Sequence, residues 1–130
     1  MIVNDLYNMS LALIYEKASG SKNYDMYLIP YLNILLSENF SINNNVRVSK
    51  GLDNLINPQI IIGKNDTLLY EYEIITEVLS FGLASMLIMQ EDILVTNGMV
   101  FNNLRNRYLE NKSKNNKVII VDIEDIYGTD

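Results

Sequence analysis

Apolar residues recur along this chain mostly at intervals of three and four, the period of helices that bury one face. Leu6, Met9 and Leu13 lie along one side, with Tyr7, Leu11, Ile14 and Ala18 beside them. This wide stripe predicts a first helix from about Asn4 or Asp5 to Ala18, capped by Asn4 and ended by Ser19-Gly20-Ser21. A second stripe, Tyr24, Tyr27, Leu28, Tyr31, Leu32, Leu35 and Leu36, predicts a helix from about Tyr24 to Asn39. Pro30 lies inside it and costs ~3 kcal/mol by removing a hydrogen bond and crowding the preceding turn. The stripe keeps its phase across Pro30, so a kinked but continuous helix is expected. A third helix should span about Glu71 to Gln90, and between Val78 and Met89 it is apolar on nearly every face. Such a helix must be buried all round. Gly82 and Ser85 lower one side of it, where another helix could approach closely. A fourth helix should run from about Ile93 to Asn111, with Leu94, Phe101, Leu104 and Tyr108 on one face.

Two stretches depart from this period. Residues 40–70 are punctuated by Asn43-Asn44-Asn45, Gly51, Pro58 and Gly63, and short runs such as Val46–Val48 and Gln59–Ile62 read as extended. Connections this long are either surface loops or functional segments, here a loop that contacts a partner. The second stretch is the C-terminus. Lys112 to Lys117 is polar and reads as a linker. Val118-Ile119-Ile120-Val121 and then Ile123, Ile126 and Tyr127 form a β-branched, apolar segment too short to fold alone. It either pairs with the extended loop of its own chain or adds to a neighbouring protomer or partner. The fold expected is therefore mainly α. It is a small bundle of about four helices over 1–111 with a long, partly extended loop over 40–70, followed by a linker and extended tail over 112–130.

Charge sharpens this picture. The chain has 130 residues, is 48% hydrophobic, and carries a net charge of −6, so it can bury a core but is poorly suited to wrapping a phosphate backbone. Residues 101–117 hold five cations against one acid, and residues 118–130 hold four acids and no cation. Arg105, Arg107 and Lys112 gather toward the end of the fourth helix, where cations suit the helix dipole. They form either a solvated helix end or a seat for Asp122, Glu124 and Asp125 of an adjacent subunit. The candidate partner-binding residues are thus Val118, Ile119, Ile120, Val121, Ile123, Ile126, Tyr127, Arg105 and Arg107.

Chemistry narrows next. With no cysteine and no histidine, thiolate nucleophiles, imidazole bases and the usual zinc ligands are excluded. Ile62-Gly63-Lys64 ends like a phosphate loop, yet Pro58 stands at the upstream glycine position and Asn65 where Ser or Thr is needed. No catalytic, metal or cofactor residue is assigned. The first apolar stretch, interrupted by Asp5 and without a basic start, is not a signal peptide. Val78 to Met89 is too short to span a bilayer.

The order of segments resembles a known family. Asn4-Asp5-Leu6-Tyr7-Asn8-Met9-Ser10-Leu11-Ala12-Leu13-Ile14 opens like the head–tail connector proteins of tailed bacteriophages, also called adaptor or head-completion proteins. Tyr24-Asp25 and Leu28-Ile29-Pro30-Tyr31-Leu32-Asn33-Ile34-Leu35-Leu36 are similar to that family's second helix, including its proline. Leu69-Tyr70-Glu71-Tyr72-Glu73-Ile74-Ile75 with Phe81-Gly82-Leu83-Ala84 looks like its third. Phe101-Asn102-Asn103-Leu104 through Tyr108 looks like its fourth. The resemblance covers roughly residues 1–110.

It implies a structural virion protein without catalytic residues. The partners implied are copies of itself in a homo-oligomeric ring, the portal protein above, and neck or tail proteins below. DNA would pass through the channel without specific binding, and no membrane is involved. Such a protein is made in the bacterial host cytoplasm and ends in the neck of the virion. Two other readings stay open: a small acidic helical regulatory module of the antitoxin or inhibitor kind, and a carboxylate metal enzyme on a helical bundle. For the latter, Glu71, Glu73 and Glu77 cluster, but no Glu-X-X-His motif exists.

Overall fold

The computed structural model describes residues 1–14, 24–90 and 95–128, and the side chains of 1–14, 24–90 and 98–116. Among them five α-helices carry the fold: α1 (Val3–Leu13), α2 (Asp25–Glu38), α3 (Phe40–Ser49), α4 (Ser80–Ile88) and α5 (Val95–Gly128). A π-helical segment, Ile74–Leu79, runs directly into α4. The protein is mainly helical, as the period of its apolar positions predicts, and no named strand occurs among the described residues. α1 ends at Leu13 with Ile14 as its C-cap, short of the expected end at Ala18, and the terminator Ser19-Gly20-Ser21 and the start of the fourth helix at Ile93 lie outside the described residues.

The all-apolar stretch becomes the centre of the bundle. α4 packs on α1, α2 and α5, and α5 also covers α3 and the π segment. Leu79, Leu83, Ala84 and Leu87 are completely buried, each large one worth ~1.5–3 kcal/mol of burial. α5 runs antiparallel to the π segment and α4. Tyr108 lies over Gly82, and Asn111 Nδ2 donates to Glu77 O at 2.6 Å. Thr76 in the π segment and Ser80 at the start of α4 donate from their hydroxyls to Tyr72 O and Thr76 O, one turn back. Ser10 Oγ on α1 donates to Ser80 O at 3.0 Å, which ties the helix layers at the same level. α2 continues through Pro30 as one helix.

α1 begins earlier than its sequence suggests. Ile2 is the N-cap, so Asn4 sits inside the helix rather than capping it. The early N–H groups are answered by another part of the chain instead: Val3 N donates to Asp66 O and Asn4 N to Lys64 O, both at 2.9 Å. Leu68 N donates to Met1 O, and Ile2 bridges Thr67 in antiparallel sense. A distant loop thus fulfils the role of a capping side chain.

Two expected extended regions are helical. Residues 40–49, read as the start of the long loop, form α3, with Val46–Val48 inside it. Its three consecutive asparagines have poor helix propensity, but Ile42 and Val46 are buried one turn apart and Asn43 and Asn44 are held by loop backbone. The helix ends in a Schellman motif: Gly51 has φ +79, its N–H donates to Val48 O, and Leu52 N donates to Arg47 O. The second correction concerns 112–130. The structure carries α5 unbroken to Gly128, so the linker and extended tail expected there are continuous with the last helix to that point. Lys112–Lys117 contains no glycine or proline to stop a helix, and Asn115 holds its Nδ2 on Asn111 O and Glu77 Oε2. β-branched residues cost a helix only ~0.5 kcal/mol each, too little to end it at Val118.

Candidate partner-docking face

After Gly51 the chain runs without helix to Glu71, and side-chain amides from the helices hold it in place. Asn33 on α2 donates from Nδ2 to Ile61 O at 3.1 Å and accepts from Ile61 N at 2.8 Å. Asn44 on α3 does the same for Leu55, at 3.1 and 2.8 Å. Gln59 repeats the device within the loop, donating to Thr67 O and accepting from Leu69 N. A primary amide carries the donor and acceptor of a peptide group, so each mimics one rung of a β-ladder. Asp66 Oδ2 accepts from Ile62 N and Gly63 N, and Asn43 Oδ1 accepts from Glu71 N. The backbone of this loop is satisfied at fixed points without forming a sheet.

Ion pairs close the ends of the loop. Arg47 meets Glu71 at 3.3 Å, and Lys50 meets Glu71 at 3.1 Å and Glu73 at 2.5 Å. The hydrogen bond from Lys50 holds the Glu73 carboxyl below its usual range, and the same bond raises Lys50. Arg47 also donates from Nε to Asp53 O.

This rigid frame displays apolar side chains to solvent. Ile61 is buried, while its neighbours Ile60 and Ile62 are 78% and 86% exposed, and Ile56 is 91% exposed. The alternation is that of an extended segment with one face on the core. Between α2 and the loop lies an open groove of about 710 Å³, walled by Asn33, Ile34 and Ser37 on one side and Asn57–Ile60 on the other. None of these residues is charged.

The residues singled out from sequence fall elsewhere. The Arg105 guanidinium lies 5.1 Å from the Tyr108 ring centroid, and that of Arg107 lies 5.4 Å from the ring of Phe81. Both therefore already contact aromatic faces of their own bundle. Val118, Ile119, Ile120, Val121, Ile123, Ile126 and Tyr127 belong to the backbone of α5. Their side chains lie outside the described ones. The strand pairing expected for them does not occur in a helix, whose backbone groups are already bonded within it. The exposed isoleucines that sequence reading did not single out as candidate contacts are Ile34, Ile56, Ile60 and Ile62. Three consecutive isoleucines, Ile60 to Ile62, carry no alternation in sequence, so only the fold shows which of them face outward.

Among the described residues, no group of three or more acidic side chains is placed to hold a metal ion. No helix among them is long and apolar enough to cross a membrane. Comparison with protein-family models, with curated proteins and with solved structures gave no match.

Proposed function

We propose that this chain is an assembly protein of the head–tail connector type. In this reading it is a subunit of a ring beneath the portal, extending the DNA channel toward the tail, in the neck of a bacteriophage virion. The observation that carries the reading is the uncharged apolar face formed by α2 and the clamped loop. An exposed set of isoleucines on a backbone fixed by Asn33, Asn44 and Gln59 is preorganised for contact with protein. The sequence resemblance over residues 1–110 supplies the type of assembly. The net charge of −6 suits a duct through which DNA slides, since a basic wall would retain phosphates. No reaction is assigned to the chain.

The test is native mass spectrometry of the purified protein, alone and mixed with a bacteriophage portal ring. A complex of many copies on the portal ring is the expected result. A monomer or dimer indifferent to the portal would favour the acidic regulatory module instead.

A further inference from the structure

We infer that a water molecule is bound inside the bundle, where it accepts a hydrogen bond from Asn43 Nδ2 and donates one to Asn39 Oδ1.

Among the described residues, these are the two interior side-chain atoms with no hydrogen-bond partner in the protein. Both asparagines are completely buried, and a buried polar atom without a partner is costly. Turning the amides round does not relieve them. Asn39 Nδ2 donates to Leu35 O at 2.9 Å and to Tyr108 Oη at 3.1 Å, so a reversed amide would set oxygen against the Leu35 carbonyl. Asn43 Oδ1 accepts from Glu71 N at 2.8 Å, so a reversed amide there would set one N–H against another. The orientation of each amide is therefore fixed by the partner it already has.

The two atoms lie one turn apart. Asn39 is the corner where α2 passes into α3, and Asn43 N donates to Asn39 O at 3.0 Å. Side chains on successive turns stand ~5–6 Å apart at Cβ, a gap that one water with two bonds of about 2.8 Å can bridge. The chemistry of the pair selects the ligand. One atom needs a donor and the other needs an acceptor. A cation would answer Asn39 Oδ1 and meet the N–H of Asn43. An anion would answer the N–H and meet the carbonyl oxygen of Asn39. Water does both.

This water completes a chain of bonds. Glu71 N donates to Asn43, Asn43 to the water, the water to Asn39, Asn39 to Tyr108, and Tyr108 to Glu38. Every donor points the same way, so each bond polarises the next. The end of the loop at Glu71 is thereby joined to α5 at Tyr108 through the α2–α3 corner.

Cross-relaxation NMR between water and the isotope-labelled full chain tests this. The side-chain amide protons of Asn43 should show a nuclear Overhauser peak to water with the sign of a molecule that tumbles with the protein. Asn44, whose amide is answered at both atoms by Leu55, should show no peak of that sign. Asn39→Leu keeps much of the side-chain volume and removes the acceptor, so the Asn43 peak should be lost while backbone amide shifts in α1 and α4 are kept. A wild-type Asn43 without the peak overturns the inference, and so does a peak that survives Asn39→Leu. If that variant does not fold, the wild type decides alone, through the same spectrum and a crystal structure. There a water oxygen should lie ~2.7–3.2 Å from both atoms. Asn39 Oδ1 bonded directly to Asn43 Nδ2, or either atom bonded to another protein group, overturns the inference.

Discussion

The Tyr108 ring of α5 rests directly on Gly82 of α4. A Cβ built on Gly82 would stand 2.9 Å from Cδ1 and Cε1 of that ring, and 2.9 Å from Leu35 Cδ2 of α2. Three helices therefore meet where a side chain is missing. The tyrosine is fixed at its far end as well, donating to Glu38 Oε2 and accepting from Asn39 Nδ2, both at 3.1 Å.

Gly82→Ala sets two effects against each other. Alanine gains ~1 kcal/mol of helix propensity over glycine. Forcing a methyl into a filled contact costs ~1–3 kcal/mol. The Leu35 methyl could shift, but the ring is anchored at its hydroxyl, so the second effect should win. Urea unfolding should show Gly82→Ala destabilised by up to about 2 kcal/mol. A variant more stable than the wild type would mean that the ring is not seated as described.

The anchoring of Tyr108 also predicts alkaline behaviour. Burial pushes its hydroxyl up to about 12, opposed by the Asn39 hydrogen bond and helped by Glu38. Burial pushes Tyr70 up to about 12 too, and its hydroxyl donates to Leu36 O. A tyrosine that titrates near 10 when unfolded and near 12 when folded favours the fold while it is protonated. That contribution is complete below pH 10 and declines as pH rises from 10 through 12. Each tyrosine can cost about 2–3 kcal/mol by the top of that window. Unfolding followed against pH should show a steep loss of stability above pH 10, reduced in Tyr70→Phe. A flat profile from pH 9 to 12 would contradict the burial of both rings.

Asn33→Ala should release one rung of the loop clamp. It strands the backbone N–H and C=O of the buried residue Ile61, a loss of roughly 1–3 kcal/mol. Amide exchange should speed up at Ile61 and its neighbours while α1 and α4 keep their protection. If exchange at 59–62 is unchanged, the amide is not what fixes the loop.

Much of this architecture was legible in the sequence. The apolar run from Val78 to Ile88 is mostly buried, although Phe81 and Met86 are only partly covered and Met89, expected inside, is 56% exposed, and the small residue Gly82 marked where a helix comes close. What misled was polar and β-branched content read locally. Asn43, Asn44 and Asn45 have the composition of a turn, yet two of them serve as hydrogen-bond partners for Glu71 and Leu55, contacts that only the folded chain supplies. Val118–Val121 has the composition of a strand, but nothing upstream stops the helix that enters it. The docking face was hidden for a different reason. Ile34 lies between Asn33 and Leu35 in an apolar helix, and which of these faces outward depends on what the loop covers.

The last prediction separates the helical extension from the bundle. α5 is held through Leu104, Tyr108, Asn111 and Asn115, the last two bonding Glu77. These anchors all precede Val118. Removing residues 118–130 should therefore leave the bundle folded, with an unfolding midpoint close to the wild type, while the helical circular-dichroism signal falls by about the share of 118–128 in the total. An extended tail would contribute no helical signal, so its removal would leave the ellipticity per molecule nearly constant. The same truncated protein tests whether this segment acts in assembly. Its apolar residues Ile119, Ile123 and Ile126 recur at intervals of four and three, the spacing by which a helix presents one face to a partner. On the proposed connector role, particles made with the truncated chain should then lack it, although it is folded. Normal incorporation would confine docking to the face of α2 and the loop.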